Sequence, residues 1–251
     1  MQQPTRVHGR LAGETVAGRD SRLNVLYAAV LILAVPGAAP AAEFSPYFAL
    51  TTDYVWRGVS QSDGHAAVQL GLDANFDAGY YLGAWVSSVD IDQSPRNRRD
   101  TELAYYAGYS TDIGKRWSLG ARAVAFTYPG QQGAVDYDYE EYSVTANYDD
   151  MFWLEYAYSP ALYASNEESH NVEVYGELGL PMGLVLGAGA GRYDAAAAFG
   201  DHYHYWQLGL TRSIGPIDVD LRFHDTDDYV LVVSSRNRSE PRVVFTLRAL
   251  F

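Results

Sequence analysis

Cysteine is absent from the 251 residues, which removes disulfides and thiolate chemistry together. A chain of this length without cross-links must be held by its own hydrogen bonds, by a packed core or by a membrane. Lysine is scarce and charged residues make up only 20%, a poor composition for a helical enzyme. Long apolar runs are missing as well. The mean hydropathy is -0.19, and nothing after the N-terminal region is long enough for a transmembrane helix, so a polytopic helical membrane protein is excluded. Basic charge is in deficit, with 18 Lys and Arg against 31 Asp and Glu. No basic patch, phosphate loop, dinucleotide fingerprint or G-x-S-x-G occurs, so nucleic acid is not an expected partner.

What is present begins with a targeting segment. Arg6, Arg10, Arg19 and Arg22 lead into the apolar run Val25–Val35, and Ala39 and Ala41 follow in an A-x-A arrangement. This reads as a signal peptide over residues 1–41, cleaved after Ala41 or Ala42. The mature chain, 42–251, then carries 14 basic and 29 acidic residues, a net charge of -15.

Glycine (23) and tyrosine (21) are abundant, and from residue 44 onward the apolar residues recur with period two. Twelve strand segments are expected, near 45–57, 66–76, 80–90, 101–110, 117–128, 139–148, 151–159, 170–180, 183–193, 203–213, 217–225 and 242–251. Most are about ten residues long, enough for a tilted strand to cross a bilayer. Val68, Leu70 and Leu72 oppose Gln69 and Asp73; Val219, Leu221 and Phe223 oppose Asp218, Asp220, Arg222 and His224. Arg192 falls on an apolar face near a strand end. The connections alternate short and long, as in a barrel with one end facing the periplasm and the other the outside. The expected fold is therefore all-β: a closed, antiparallel, up-and-down transmembrane barrel of 12 strands, closed because lipid leaves no partner for an open edge. The final strand ends on Phe251 with an alternating apolar face, the form of an outer-membrane assembly signal. Trp56, Tyr80, Trp117, Trp153, Tyr203 and Trp206 sit near segment ends and are expected to form aromatic girdles at the headgroups.

The stretch Thr51 to Asp90 resembles a known family. The run D-Y-x-W-R-G-x-S-Q-S-D-G (Asp53 to Gly64), then A-V-Q (Ala67 to Gln69), then G-Y-Y-x-G-x-W-x-S-x-V-D (Gly79 to Asp90) is similar to the start of the proteobacterial TorF-type porins. The resemblance covers about 40 residues at the start of the mature chain. It implies an outer-membrane barrel of a Gram-negative bacterium that passes small solutes, and it supplies no binding residues.

On the expected lumen face lie Asp53, Asp73, Glu102, Glu141, Glu155, Glu173, Glu177, Asp218 and Asp220, with Arg57, Arg122, Arg222, Arg248 and His224. The excess of carboxylates favours cations if the interior holds water. The expected function is passive diffusion of small neutral or cationic solutes, with no cofactor and no metal. The expected partners are outer-membrane lipids, lipopolysaccharide and the barrel-assembly machinery. Three alternatives stay open: a barrel plugged by Tyr106, Phe126 and Tyr128; a soluble periplasmic barrel with an apolar ligand inside; and a lipid-modifying enzyme. For the enzyme, His204 has no evident nucleophile in Ser213 or Ser234. His202 and His204 with Asp201 lack a third metal ligand of the usual kind, and Asp225, Asp227 and Asp228 read as hydrated loop charge.

Overall fold

The computed structural model describes residues 42–91, 99–129, 136–165, 167–227 and 238–251. Residues 1–41, expected as a signal peptide, and Asp228 and Ser234 lie outside the described residues. Twelve strands close into one antiparallel barrel. They are β1 (Ala42–Thr51), β4 (Ala67–Phe76), β5 (Tyr80–Ile91), β6 (Arg99–Ile113), β7 (Trp117–Thr127), β8 (Tyr139–Tyr148), β9 (Phe152–Leu162), β10 (Glu167–Leu180), β11 (Leu184–Asp194), β12 (His202–Ile214), β13 (Ile217–Thr226) and β14 (Arg242–Leu250). Each barrel strand pairs with its sequence neighbour, and β14 returns to β1 with Tyr47 opposite Leu250 and Thr51 opposite Thr246. Two further short strands, β2 (Val55–Trp56) and β3 (Val59–Ser60), form a small hairpin apart from the wall.

Alternation decides the two faces. Leu70, Leu72 and Leu221 are 50%, 46% and 52% exposed, while Glu102 is 0% exposed. Asp73, Glu173 and Asp220 take the inward positions between outward apolar residues. A soluble barrel with an apolar ligand inside needs the reverse arrangement and is excluded. The outward leucines suit acyl tails, and the closed ladder leaves no edge for lipid to meet.

Short turns gather at the end where β1 begins and β14 finishes. Between β8 and β9, Asp149 and Asp150 have φ of 54° and 53°, the paired left-handed geometry that matches the twist of a tight hairpin. Asn147 holds this turn: its Oδ1 accepts from Asp150 N at 3.0 Å and its Nδ2 donates to Asp150 Oδ1 at 2.7 Å.

Glycine and tyrosine share one structural role. Tyr106 of β6 lies across Gly83 of β5, and its hydroxyl donates to Asp73 of β4 at 2.5 Å. Tyr205 of β12 lies across Gly191 of β11 and donates to Glu173 of β10 at 2.9 Å. Each ring thus bridges three strands along the inner wall, which only a residue without Cβ permits: a Cβ on Gly83 or Gly191 would stand 2.4 Å from the ring. Gly191→Val is expected to lower stability by roughly 1–3 kcal/mol, read as a fall in the urea midpoint, and Tyr205→Ala in the same chain should recover part of it.

Three of the six rings expected in a girdle point outward. Tyr80 packs on Tyr109 at 4.8 Å, Trp117 on Tyr148 at 4.8 Å and Trp206 on Phe223 at 5.0 Å, all on the outer face. Trp153, Tyr203 and Trp56 do not belong there. Trp153 alternates with the outward Phe152 and Leu154, so it points inward and packs on Tyr175 at 5.7 Å. Tyr203 is opposite in parity to the outward Trp206 and is buried inside, 5.7 Å from Tyr193. Trp56 lies on the inward hairpin. Proximity to a strand end does not fix the face of an aromatic ring; parity does.

Candidate functional site

The wall segment expected over 45–57 ends at Thr51, where the last bond to β14 is Thr52 N donating to Phe245 O at 2.9 Å. From there the chain turns into the barrel, makes β2 and β3, and returns to the wall at Ala67. The stretch expected as the first external loop is therefore internal: Ser60, Gln61, Ser62 and Asp63 are all buried. Tyr54 and Trp56 do not face lipid.

Polar contacts fix this hairpin. Asp53 accepts from Ser60 Oγ at 2.6 Å and Ser62 Oγ at 2.8 Å, and pairs with Arg242 of β14 at 2.6 Å. Arg57 Nη1 meets Glu141 of β8 at 2.9 Å. Asp63 faces Arg238 at 3.5 Å. Tyr54 and Tyr128 donate to Glu102 of β6 at 3.2 and 3.1 Å. Apolar contacts fill the remainder: Tyr54 meets Trp85 edge-on at 5.4 Å, and Trp56 meets Tyr193 at 5.6 Å. The hairpin thus touches β5, β6, β8, β11 and β14, which lie all round the barrel, and it crosses the lumen at the end opposite the short turns. Its tip requires glycine. Gly58 has φ of 81°, and a Cβ there would lie 2.5 Å from Thr226 Cγ2 and 2.8 Å from Tyr205 Cβ.

Of the expected plugging residues, Phe126, Tyr128 and Tyr106 are all buried within the barrel and join the apolar cluster around the hairpin. Below them lie the remaining lumen charges. Arg122 is 3.7 Å from Glu155. Arg222 pairs with Asp220 at 2.8 Å and donates to Tyr175 at 3.3 Å. Asp220 accepts from Thr211 at 2.6 Å and Asp218 from Ser213 at 2.5 Å. Glu173 accepts from Gln207 at 3.2 Å and Glu177 from Tyr175 at 3.1 Å. His224 stands in register between Gln207 and Arg242. Arg248 stacks on Tyr47 at 5.4 Å. All fourteen expected lumen residues lie inside, but Asp53 and Arg57 are there on the hairpin, not on the wall.

Three participants were not among the expected residues. Arg242 shares a parity with Arg248 in β14, so alternation signals it. Arg238 and Asp63 come from separate connections, and nothing in either stretch signals their pairing. On the outer face Arg192 pairs with Asp194 at 3.2 Å, and His204 with Asp227 at 2.7 Å. Among the described residues the ligating side chains that converge are Asp63, His65 and Asp90, within 4.8 Å of one another. They are already engaged: Asp63 with Arg238, and His65 with Asp90 at 4.0 Å.

A family profile covers residues 36–251, the whole of this barrel. The chain belongs to Gcw_chp, a bacterial family of unknown function. No curated protein matches it in sequence. Among solved structures it is similar to the KdgM porin, with a TM-score of 0.52 at 8% identity over 82% of this chain and 98% of that one. It is also similar to the NanC porin, with a TM-score of 0.56 at 6% identity over 83% of this chain and 98% of that one. At such identities the likeness is one of fold: this Gcw_chp member shares the closed porin barrel.

Proposed function

We propose that this Gcw_chp member is an outer-membrane channel of the TorF porin kind. It passes small neutral or cationic solutes passively and is closed in the conformation described. The observation that carries the reading is the arrangement of charge. Ion pairs and carboxylates line the inside, leucines and valines cover the outside, and one inward hairpin occupies the outer mouth. Export behind a cleaved signal peptide and recognition of the Phe251 strand by the assembly machinery accompany this reading, as do contacts with outer-membrane lipids and lipopolysaccharide. Catalysis is not part of it.

The hairpin changes the mechanism from steady diffusion to gated diffusion. With the hairpin docked, Arg57 and Arg242 neutralise Glu141 and Asp53 at the outer end. Toward the periplasmic end Asp73, Glu155, Glu173, Glu177, Asp218 and Asp220 outnumber Arg122, Arg222 and Arg248, so the open path is expected to prefer cations. A purified barrel in a planar bilayer under a KCl gradient should give a reversal potential on the potassium side. Asp218→Asn with Asp220→Asn should move that potential toward zero, because two carboxylates leave and Arg222 loses its partner. A chloride preference in the unaltered protein overturns the reading.

A further inference from the structure

We propose that the inner wall beneath the hairpin tip is a binding site for a guanidinium or similar planar organic cation, filled in this conformation by the chain's own Arg57. The inference rests on the hairpin being a movable closure and gives the gated channel a ligand class. Four groups receive Arg57, each from a different barrel strand: Glu141 from β8, Asn171 from β10, Tyr193 from β11 and Tyr205 from β12. The wall half of the site is therefore built without the hairpin.

The contacts are those of cation recognition. The side chains of Arg57 and Glu141 are only 2% and 3% exposed, and Nη1 lies 2.9 Å from Oε2. The guanidinium carbon is 5.0 Å from the Tyr193 ring centroid and 3.9 Å from that of Trp56, which the hairpin itself brings. With the Asn171 amide turned so that its oxygen faces donors, it accepts from Arg57 Nε at 3.3 Å. The Tyr205 hydroxyl closes that side and is itself tied to Glu173 at 2.9 Å.

Two features mark Arg57 as a stand-in. The first is the fit. Arg57 Nη1, Arg57 Nη2 and Glu141 Oε1 all lack a well-aligned hydrogen-bond partner among the described residues, so Nη1 meets Glu141 Oε2 as a 2.9 Å ion contact only. The tethered guanidinium therefore meets the carboxylate through one nitrogen and not as a two-bond fork, which is the geometry a free guanidinium prefers. The second is the backbone. Arg57 has φ of 45°, in the left-handed region where an L side chain is disfavoured. When the tip withdraws, Glu141 loses its cation and faces the lumen as a carboxylate beside the Tyr193 ring, a place that recruits another positive group. The ring face of Tyr193 beside the Glu141 carboxylate selects a weakly hydrated planar cation over K⁺. External guanidinium and the hairpin then compete for one place, and an arriving solute favours the open barrel.

Methylguanidinium is the probe, with urea as a neutral control of similar shape. In detergent, calorimetric titration of the full barrel carrying Arg57→Ala should show saturable binding at least about tenfold tighter than in wild type, as expected for a vacated charge-and-ring site. Adding Glu141→Gln should abolish it, and urea should not bind. Equal affinity in wild type and R57A, or indifference to E141Q, overturns the proposal. Should R57A fail to assemble, the wild-type barrel decides. Millimolar methylguanidinium, and not urea, should speed amide hydrogen exchange in residues 54–63; unchanged exchange overturns the proposal. Neither readout needs conduction. A barrel that binds the probe and passes no ions removes the channel reading alone, and one that conducts without binding removes this inference alone.

Discussion

Replacing residues 54–63 by a short Gly-Ser tether is expected to turn a mostly silent barrel into a steadily conducting one. On the proposed gating, the current depends on the fraction of time the hairpin is withdrawn, and each 1.4 kcal/mol or so of docking energy removed raises the open-to-closed ratio about tenfold. The docked hairpin holds one ion pair with both partners almost wholly buried, Arg57 with Glu141, and a second, Asp53 with Arg242, bound by further hydroxyls. Breaking a buried pair by losing one partner costs roughly 3–5 kcal/mol, so the mean current should rise by more than a hundredfold on this scale. Single-channel recording before and after the replacement is the measurement. The heat-shifted band on an unboiled SDS gel should persist, because every wall strand from β1 to β14 keeps its pairing. An unchanged current in a correctly assembled barrel would mean that the hairpin is a fixed filling.

The second large effect belongs to the outer face. Leu221 stands in register with Leu210 of β12 and Phe245 of β14, midway along their strands. Leu221→Arg should destabilise the assembled barrel by roughly 2–4 kcal/mol, the range for arginine on a lipid-facing strand near the bilayer midplane. Urea unfolding in lipid vesicles reads this directly. One position along, Asp220→Asn changes an inward side chain and should move the unfolding midpoint far less. If the two substitutions behaved alike, the assignment of faces in β13 would be wrong.

Much of this wall was legible in the residue order because a strand in lipid has one strong rule, apolar out and polar in. Segments such as 66–76 and 217–225 obey it residue by residue, and β4 and β13 appear with the expected faces. The first segment failed for a physical reason. Asp53, Tyr54, Val55, Trp56 and Arg57 alternate as a wall strand does, but a wall needs partners on both sides, and β1 keeps them only to Thr51. Alternation within a five-residue run is equally good for a hairpin packed against aromatics inside. The charge assignment of Asp53 and Arg57 survived the error because both readings put those side chains in the interior. The pairing of Asp63 with Arg238 had no comparable signal. It joins two connections far apart in sequence, and only the closed ring brings them together.

The hairpin is attached at both ends to neighbouring staves, β1 at Thr51 and β4 at Ala67, so as the proposed gate it would swing out without being lost. An extended strand advances about 3.4 Å per residue, so half of the span 52–66 reaches on the order of 20 Å above the rim. If the hairpin gates an outer-membrane channel as proposed, each opening would display Trp56 and Arg57 at the cell surface, within reach of antibodies, phage tails and proteases, and each closing would hide them again. A bacterium carrying this barrel would advertise its transport activity as an intermittent epitope.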